Sequence, residues 1–163
     1  MIESSSKKFT VPNPLWNAVI DSFTKPEADY NLFYVDTEFV TIGSSRLLVK
    51  VAIYNHREEK SLSRIINHGM LLSELYQKAN SNHHERARRI AFGAIRKVYG
   101  IGQHDPRAAT TYTFGIRLDE LETELKNIGV SAASIFVEWS LSNCDHDVLK
   151  QALRHADLPP RSS

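Results

Sequence analysis

The sequence predicts an α/β domain built on a mixed sheet, with three antiparallel strands, a further strand and helices on the faces of the sheet. Two observations predict it. Strand-like and helix-like apolar periods follow one another in a fixed order, and the connections between the first three strands are short. The predicted strands cover 32–40, 46–54, 62–67 and 134–139, and the predicted helices of the domain cover 70–79, 87–99, 118–128 and 148–153.

The first three strands are dense in aromatic and β-branched residues, as in the segment from Leu32 to Val40. The connections 41–45 and 55–60 are short and polar, so antiparallel hairpin pairing is the simplest arrangement. These three segments therefore predict a meander.

The segment 87–99 has the clearest helical stripe in the chain, and Gly100 ends it. The stretch 100–115 contains two glycines before Pro106 and lacks a sustained period, so it is predicted to be a loop. The helix over 118–128 ends at Gly129, and the fourth strand and the last helix follow.

The amino-terminal residues are set apart from this pattern. Residues 1–12 are polar and rich in serine and lysine, and Asn13-Pro14 then offers a cap and a first helical position. We expect residues 1–29 to form an arm and a short helix, residues 30–158 to form the domain, and 159–163 to be a tail.

Composition limits the classes of protein. With 163 residues, 42% of them hydrophobic and 24% charged, the chain suits one globular domain with a real core. The formal charge of +1 neither favours nor excludes a nucleic-acid partner, because affinity for nucleic acid would have to come from local clusters of charge or from metal ions. One cysteine excludes an intrachain disulfide, and no long apolar run or secretory leader is visible, so we expect an intracellular protein, cytoplasmic or nuclear, without a membrane partner.

The strongest functional signal is Asp36-Thr37-Glu38, which lies at the end of an apolar strand segment. Alternate side chains of a strand project from the same face, so Asp36 and Glu38 are expected to lie close enough to share a divalent cation. The alternative is a solvated edge strand that happens to carry two acids, and this pattern alone does not decide between them.

With this motif, the meander and a later passage from a strand to a helix rich in acids, the chain resembles the ribonuclease H-like exonucleases of the DEDD (DnaQ-like) superfamily over about residues 30–155. Their first motif corresponds to Asp36 and Glu38. Their second motif is an aspartate at the start of a helix, for which Asp145 and Asp147 compete. Asp145 is favoured because Val148 and Leu149 follow it at the third and fourth positions.

The resemblance implies a 3′-to-5′ exonuclease-type hydrolase that acts on single-stranded RNA or DNA with two Mg²⁺ or Mn²⁺ ions. In that scheme Asp36, Glu38 and Asp145 are the catalytic metal ligands, with Asp147 as the alternative ligand. The family's third motif is not recognisable before Ser163, so we expect an incomplete fold, either a fragment or a degenerate copy. The second hypothesis is a catalytically silent module that binds nucleic acid or a protein, and the third is an unrelated α/β domain.

Other polar clusters are weaker signals. The basic residues of the helix over 87–99 and its approach form either a phosphate-binding face or, more simply, a solvated face: Arg86, Arg88, Arg89, Arg96 and Lys97. The histidines and Cys144 match no zinc spacing, and neither a nucleophile elbow nor a phosphate-binding glycine loop is present.

Overall fold

A computed structural model of the chain describes residues 31–131, 134–138 and 144–155. The strands are β1 (Leu32–Ile42), β2 (Ser45–Asn55), β3 (Lys60–Ile65) and β4 (Ile135–Glu138). The helices are α1 (Leu72–Asn80), α2 (Glu85–Tyr99), α3 (Leu118–Asn127) and α4 (Cys144–His155), with a short 3₁₀ helix at Pro106–Ala109.

The four strands form one mixed sheet in the order β3-β2-β1-β4. Strand β1 pairs antiparallel with β2 and parallel with β4, and the described pairing with β4 runs from Leu32 opposite Ile135 to Val35 opposite Glu138. The predicted site residues Asp36 and Glu38 follow Val35 directly along β1.

The two faces of the sheet carry separate cores. Helices α3 and α4 pack on one face, with a cluster that includes Phe33, Val35, Val51, Ile53, Leu121, Leu125, Val148 and Leu149. Helices α1 and α2 cover part of the other face, with a cluster that includes Val40, Val49, Leu72, Leu75, Ile95 and Tyr99. The result is a three-layer arrangement in which β1 is buried from both sides.

Strand β2 carries one extra residue opposite β1. Glu38 pairs with Lys50 and Phe39 pairs with Leu48, so Val49 forms a bulge between them. The bulge breaks the alternation of faces along β2, since Val49 joins one core whereas Val51, two residues further on, joins the core on the other face together with Leu48.

The helix ends follow from local sequence. At the starts of α1 and α3, Glu74 and Glu120 accept hydrogen bonds from the backbone N–H of Leu71 (2.7 Å) and Arg117 (3.0 Å). At the end of α2, Gly100 adopts a left-handed conformation (φ 72°) and donates its N–H to the Arg96 carbonyl.

The long connection after α2 docks against the sheet. Ile116 forms a parallel bridge with Ile66, and its N–H donates to the carbonyl of Ile65 at 2.9 Å. Gly115 (φ 123°) lies directly on Ile65, since a Cβ atom built on it would overlap that carbonyl group. This close approach requires glycine.

The predicted α/β class and mixed sheet are confirmed, and each predicted strand and helix of the domain is found in the predicted order. Their bounds differ by a few residues, since β3 covers 60–65 and not 62–67, and α4 begins at Cys144 and not at 148. The 3₁₀ helix was not predicted; Asp105 caps it by accepting the Arg107 N–H, and Pro106 begins it. The predicted arm and helix within 1–29 and the tail 159–163 lie outside the described residues. No helix of the described part is long and apolar enough to cross a membrane.

Candidate functional site

The two acids of the strand motif share one face of β1 and one cationic neighbour. Asp36 is exposed, and the Glu38 side chain keeps 28% of its surface exposed. The Lys97 ammonium group, near the end of α2, donates to Glu38 Oε1. Helix α2 therefore brings a positive charge to the acid pair.

Both acids influence the pKa of Lys97. The hydrogen bond to Glu38 and the charge of that carboxylate raise the pKa of Lys97, desolvation opposes the rise, and the charge of Asp36 adds to it. An internal cation therefore already compensates part of the repulsion between Asp36 and Glu38.

The aspartate at the start of α4 reaches the same segment of β1. Asp145 Oδ1 accepts a hydrogen bond from the Thr37 backbone N–H (3.0 Å) and another from Thr37 Oγ1 (2.6 Å). Thr37 is the residue between the two acids, and it is 7% exposed. A contact across 108 sequence positions thus fixes Asp145 beside the motif.

The start of α4 is itself held by β4. The Asp145 N–H donates to Glu138 Oε2 at 2.8 Å, which places a carboxylate at the positive end of the helix dipole. Because Glu138 pairs with Val35 on the neighbouring strand, this bond ties the first turn of α4 to the sheet. Asp147 is exposed. The contacts therefore favour Asp145 over Asp147 as the aspartate that faces the motif.

The three predicted acids are gathered along one short segment of β1, but they are not aimed at one point. Thr37 projects from the face opposite to Asp36 and Glu38, and its hydroxyl binds Asp145. Within residues 31–131, 134–138 and 144–155, no three His, Cys, Asp or Glu side chains form a group that could hold a metal ion. Binding of one cation by all three acids requires rotation of their side chains.

The donor chemistry of this segment suits a hard divalent cation. Carboxylate oxygens are the ligands that Mg²⁺ and Mn²⁺ prefer, and Asp36 is freely accessible from solvent. Both hydrogen bonds from Thr37 reach Oδ1 of Asp145, which leaves Oδ2 as the atom able to turn toward a cation.

Sequence reasoning missed three residues of this site. The sequence groups Lys97 with the other basic residues of its helix, and it assigns no role in the site to Thr37 or Glu138. Their roles depend on which elements become neighbours in space. The position of Thr37 inside the motif was the one local signal that could have pointed to it.

The histidines match no zinc spacing in the sequence. His83, His84 and His104 are exposed, and no metal-binding group involves them within the part of the chain that the structure describes.

Comparison of the chain with family models, with curated proteins and with solved structures found no match.

Proposed function

We propose that the chain is a ribonuclease H-like domain of the exonuclease type that hydrolyses phosphodiester bonds of single-stranded nucleic acid with divalent cations. The observation that carries the proposal is the pair of hydrogen bonds by which Thr37 holds Asp145. They support the proposal because Asp145, at the start of α4, contacts the residue between Asp36 and Glu38.

In this proposal the acids are the cation ligands, and Thr37 and Glu138 position one of them. Asp36, Glu38 and Asp145 would hold Mg²⁺ or Mn²⁺, which would neutralise phosphate charge and lower the pKa of the attacking water. Thr37 fixes the Asp145 carboxylate through two donors, and Glu138 fixes the backbone of the same residue. Lys97 balances the acid pair in the absence of a cation.

A second candidate function is a catalytically silent module of the same fold that binds nucleic acid without cleaving it. The ion pair between Lys97 and Glu38 favours it, because a protein cation at the acid pair competes with a metal ion. The lack of a converged group of three acids in the described residues also favours it.

One assay separates the two candidates. A single-stranded oligonucleotide with a fluorophore at its 5′ end is incubated with the protein and Mn²⁺, as DNA and as RNA, and is resolved on a denaturing gel. The proposal predicts stepwise shortening from the 3′ end that EDTA abolishes. An oligonucleotide that stays intact on the denaturing gel but is retarded by the protein on a native gel would contradict hydrolysis and support the silent module.

Replacing Lys97 with methionine is expected to tighten Mn²⁺ binding about two- to fivefold, because the variant removes the cation that competes for Glu38. The measurement is the Mn²⁺ concentration that gives half of the maximal rise in melting temperature, since a ligand specific to the folded state stabilises it. Lys97→Arg keeps the charge and serves as the control. Equal or weaker Mn²⁺ binding by the methionine variant would contradict competition at this site.

A further inference from the structure

Helix α2 presents an exposed face that is strongly basic. Its members recur at intervals of three, four and seven residues, which places them within about a third of the helix circumference. We call this the basic face, and all of its residues are exposed: Arg86, Arg89, Ile90, Gly93, Arg96 and Lys97.

The three arginines of the basic face are available to a partner. Among the described residues, Arg86, Arg89 and Arg96 form no ion pair, and the one acidic residue of α2 is Glu85 at its start. Three unpaired cations on one helix face are conspicuous in a chain whose formal charge is +1. Charge complementarity therefore indicates a polyanionic partner.

The shape of the basic face suits an extended strand. Arg86, Arg89 and Ile90 line an open depression, and Ile90 is 63% exposed, an unusual position for a large apolar side chain. Gly93 follows, where a Cβ atom would meet nothing within 4 Å, so a partner can approach the helix closely. Arginines beside an apolar contact match the alternating phosphate and sugar-base surface of a nucleic acid strand.

The basic face also has a direction. At a rise of about 1.5 Å per residue, Arg86 lies about 16 Å along the helix from Lys97. Lys97 contacts Glu38, so the carboxyl-terminal end of the basic face lies beside the acid pair of β1 and Arg86 lies at the far end. This length accommodates about two to four phosphates of one strand, depending on how extended the strand is.

We propose that the basic face of α2 binds the phosphate backbone of a single-stranded nucleic acid and leads the strand to Asp36 and Glu38. The destination of the strand rests on the proposed function, whereas binding to the arginines does not depend on cleavage.

The test is fluorescence anisotropy of a labelled single-stranded 12-mer, as oligo(dT) and as oligo(U), in EDTA so that metal-dependent cleavage does not contribute. Relative to the unmodified chain, Arg86→Gln/Arg89→Gln is expected to weaken binding roughly tenfold at low salt. The slope of log affinity against log salt should become shallower by about 0.7 for each arginine removed.

The matched control removes two arginines from the other side of the sheet. Arg64→Gln/Arg117→Gln removes the same number of positive charges as Arg86→Gln/Arg89→Gln. Arg64 pairs with Glu124 of α3 and Arg117 pairs with Asp119, so neither belongs to the basic face. This control is expected to change affinity less than twofold. Equal losses in the two double variants, or no binding by the unmodified chain, would overturn the inference.

A second pair of variants tests the same face without removing arginine. Gly93→Glu and Gly93→Gln both place a good helix former at an open position, but one of them adds a negative charge. Weaker binding by the glutamate variant alone supports the inference, and equal binding contradicts it.

A competition experiment tests the class of partner. A poly-glutamate competitor as effective as the oligonucleotide would overturn the assignment to nucleic acid.

The outcomes for this face and for the proposed function are separable. Loss of binding in Arg86→Gln/Arg89→Gln without any Mn²⁺-dependent shortening by the unmodified chain would support the basic face and refute the nuclease. Shortening with unchanged binding in that variant would refute the basic face and leave the nuclease in place.

Discussion

Replacing Asp36 with asparagine is expected to reduce Mn²⁺-dependent shortening of the oligonucleotide by roughly 100- to 1,000-fold. In the proposed site Asp36 would be one of the ligands of the catalytic cations, and the loss of several kcal/mol of transition-state stabilisation corresponds to a change of about this size. The fold should persist, because Asp36 is exposed and surface substitutions change stability by about 0.5 kcal/mol or less.

The control for this prediction is Asp119→Asn, which removes an exposed acid of α3 that pairs with Arg117. Circular dichroism and melting temperature establish that both variants are folded. A shortening rate in Asp36→Asn equal to that of the control would refute the assignment.

The same assay decides between the two aspartates of α4. Asp145→Asn should lose shortening to a similar degree, because Asp145 is the residue that Thr37 holds beside the motif. Asp147→Asn should retain it, since Asp147 is exposed and points to solvent. The opposite order of effects would show that the hydrogen bonds of Asp145 are structural.

Replacing Gly115 with alanine is expected to destabilise the domain by about 3 kcal/mol or more. A Cβ atom at this position would overlap the carbonyl group of Ile65, with its carbonyl carbon at 2.5 Å, and the backbone φ of 123° is strained for any other residue. Relief requires the loop to move away, which breaks the hydrogen bond from Ile116 N–H to the Ile65 carbonyl. We expect a melting temperature lower by about 6–12 °C.

Gly102→Ala is the matched control for this effect. A Cβ atom on Gly102 meets nothing within 4 Å, and its φ is not in the left-handed region. Its melting temperature should change by less than a third of the shift in Gly115→Ala. Similar shifts in the two variants, measured by differential scanning calorimetry, would contradict the close packing of the loop on β3.

Most of the fold was predictable because its elements are strongly periodic. The apolar stripe that ends at Gly100 defines α2, and the segment from Leu32 to Val40, dense in aromatic and β-branched residues, defines most of β1. Each of these patterns reports the local environment of one element, which is the information that a single sequence carries.

The structure of the long loop was less accessible to the same reasoning. Asp105 followed by Pro106 is a start signal for a short helix, but a helix of four residues is too short to show an apolar period. The bridge between Ile66 and Ile116 had no local signal, because it depends on how the loop folds back onto the end of β3.

Part of the candidate site was also predictable from single elements, and part depends on contacts between elements. The spacing of Asp36 and Glu38 follows from strand geometry alone, and the spacing of Val148 and Leu149 favoured Asp145 from helix geometry alone. The ion pair of Lys97 with Glu38 depends on the contact of α2 with β1, which no pattern within either element encodes.

The most direct measurement of the central claim is a Mn²⁺ titration followed by electron paramagnetic resonance, in which bound Mn²⁺ is lost from the signal of the free ion. Our proposal predicts saturable binding to the unmodified chain, weakened at least tenfold in Asp36→Asn and unchanged in Asp119→Asn. Absence of binding, or equal binding by all three proteins, would show that Asp36, Glu38 and Asp145 do not form a cation site.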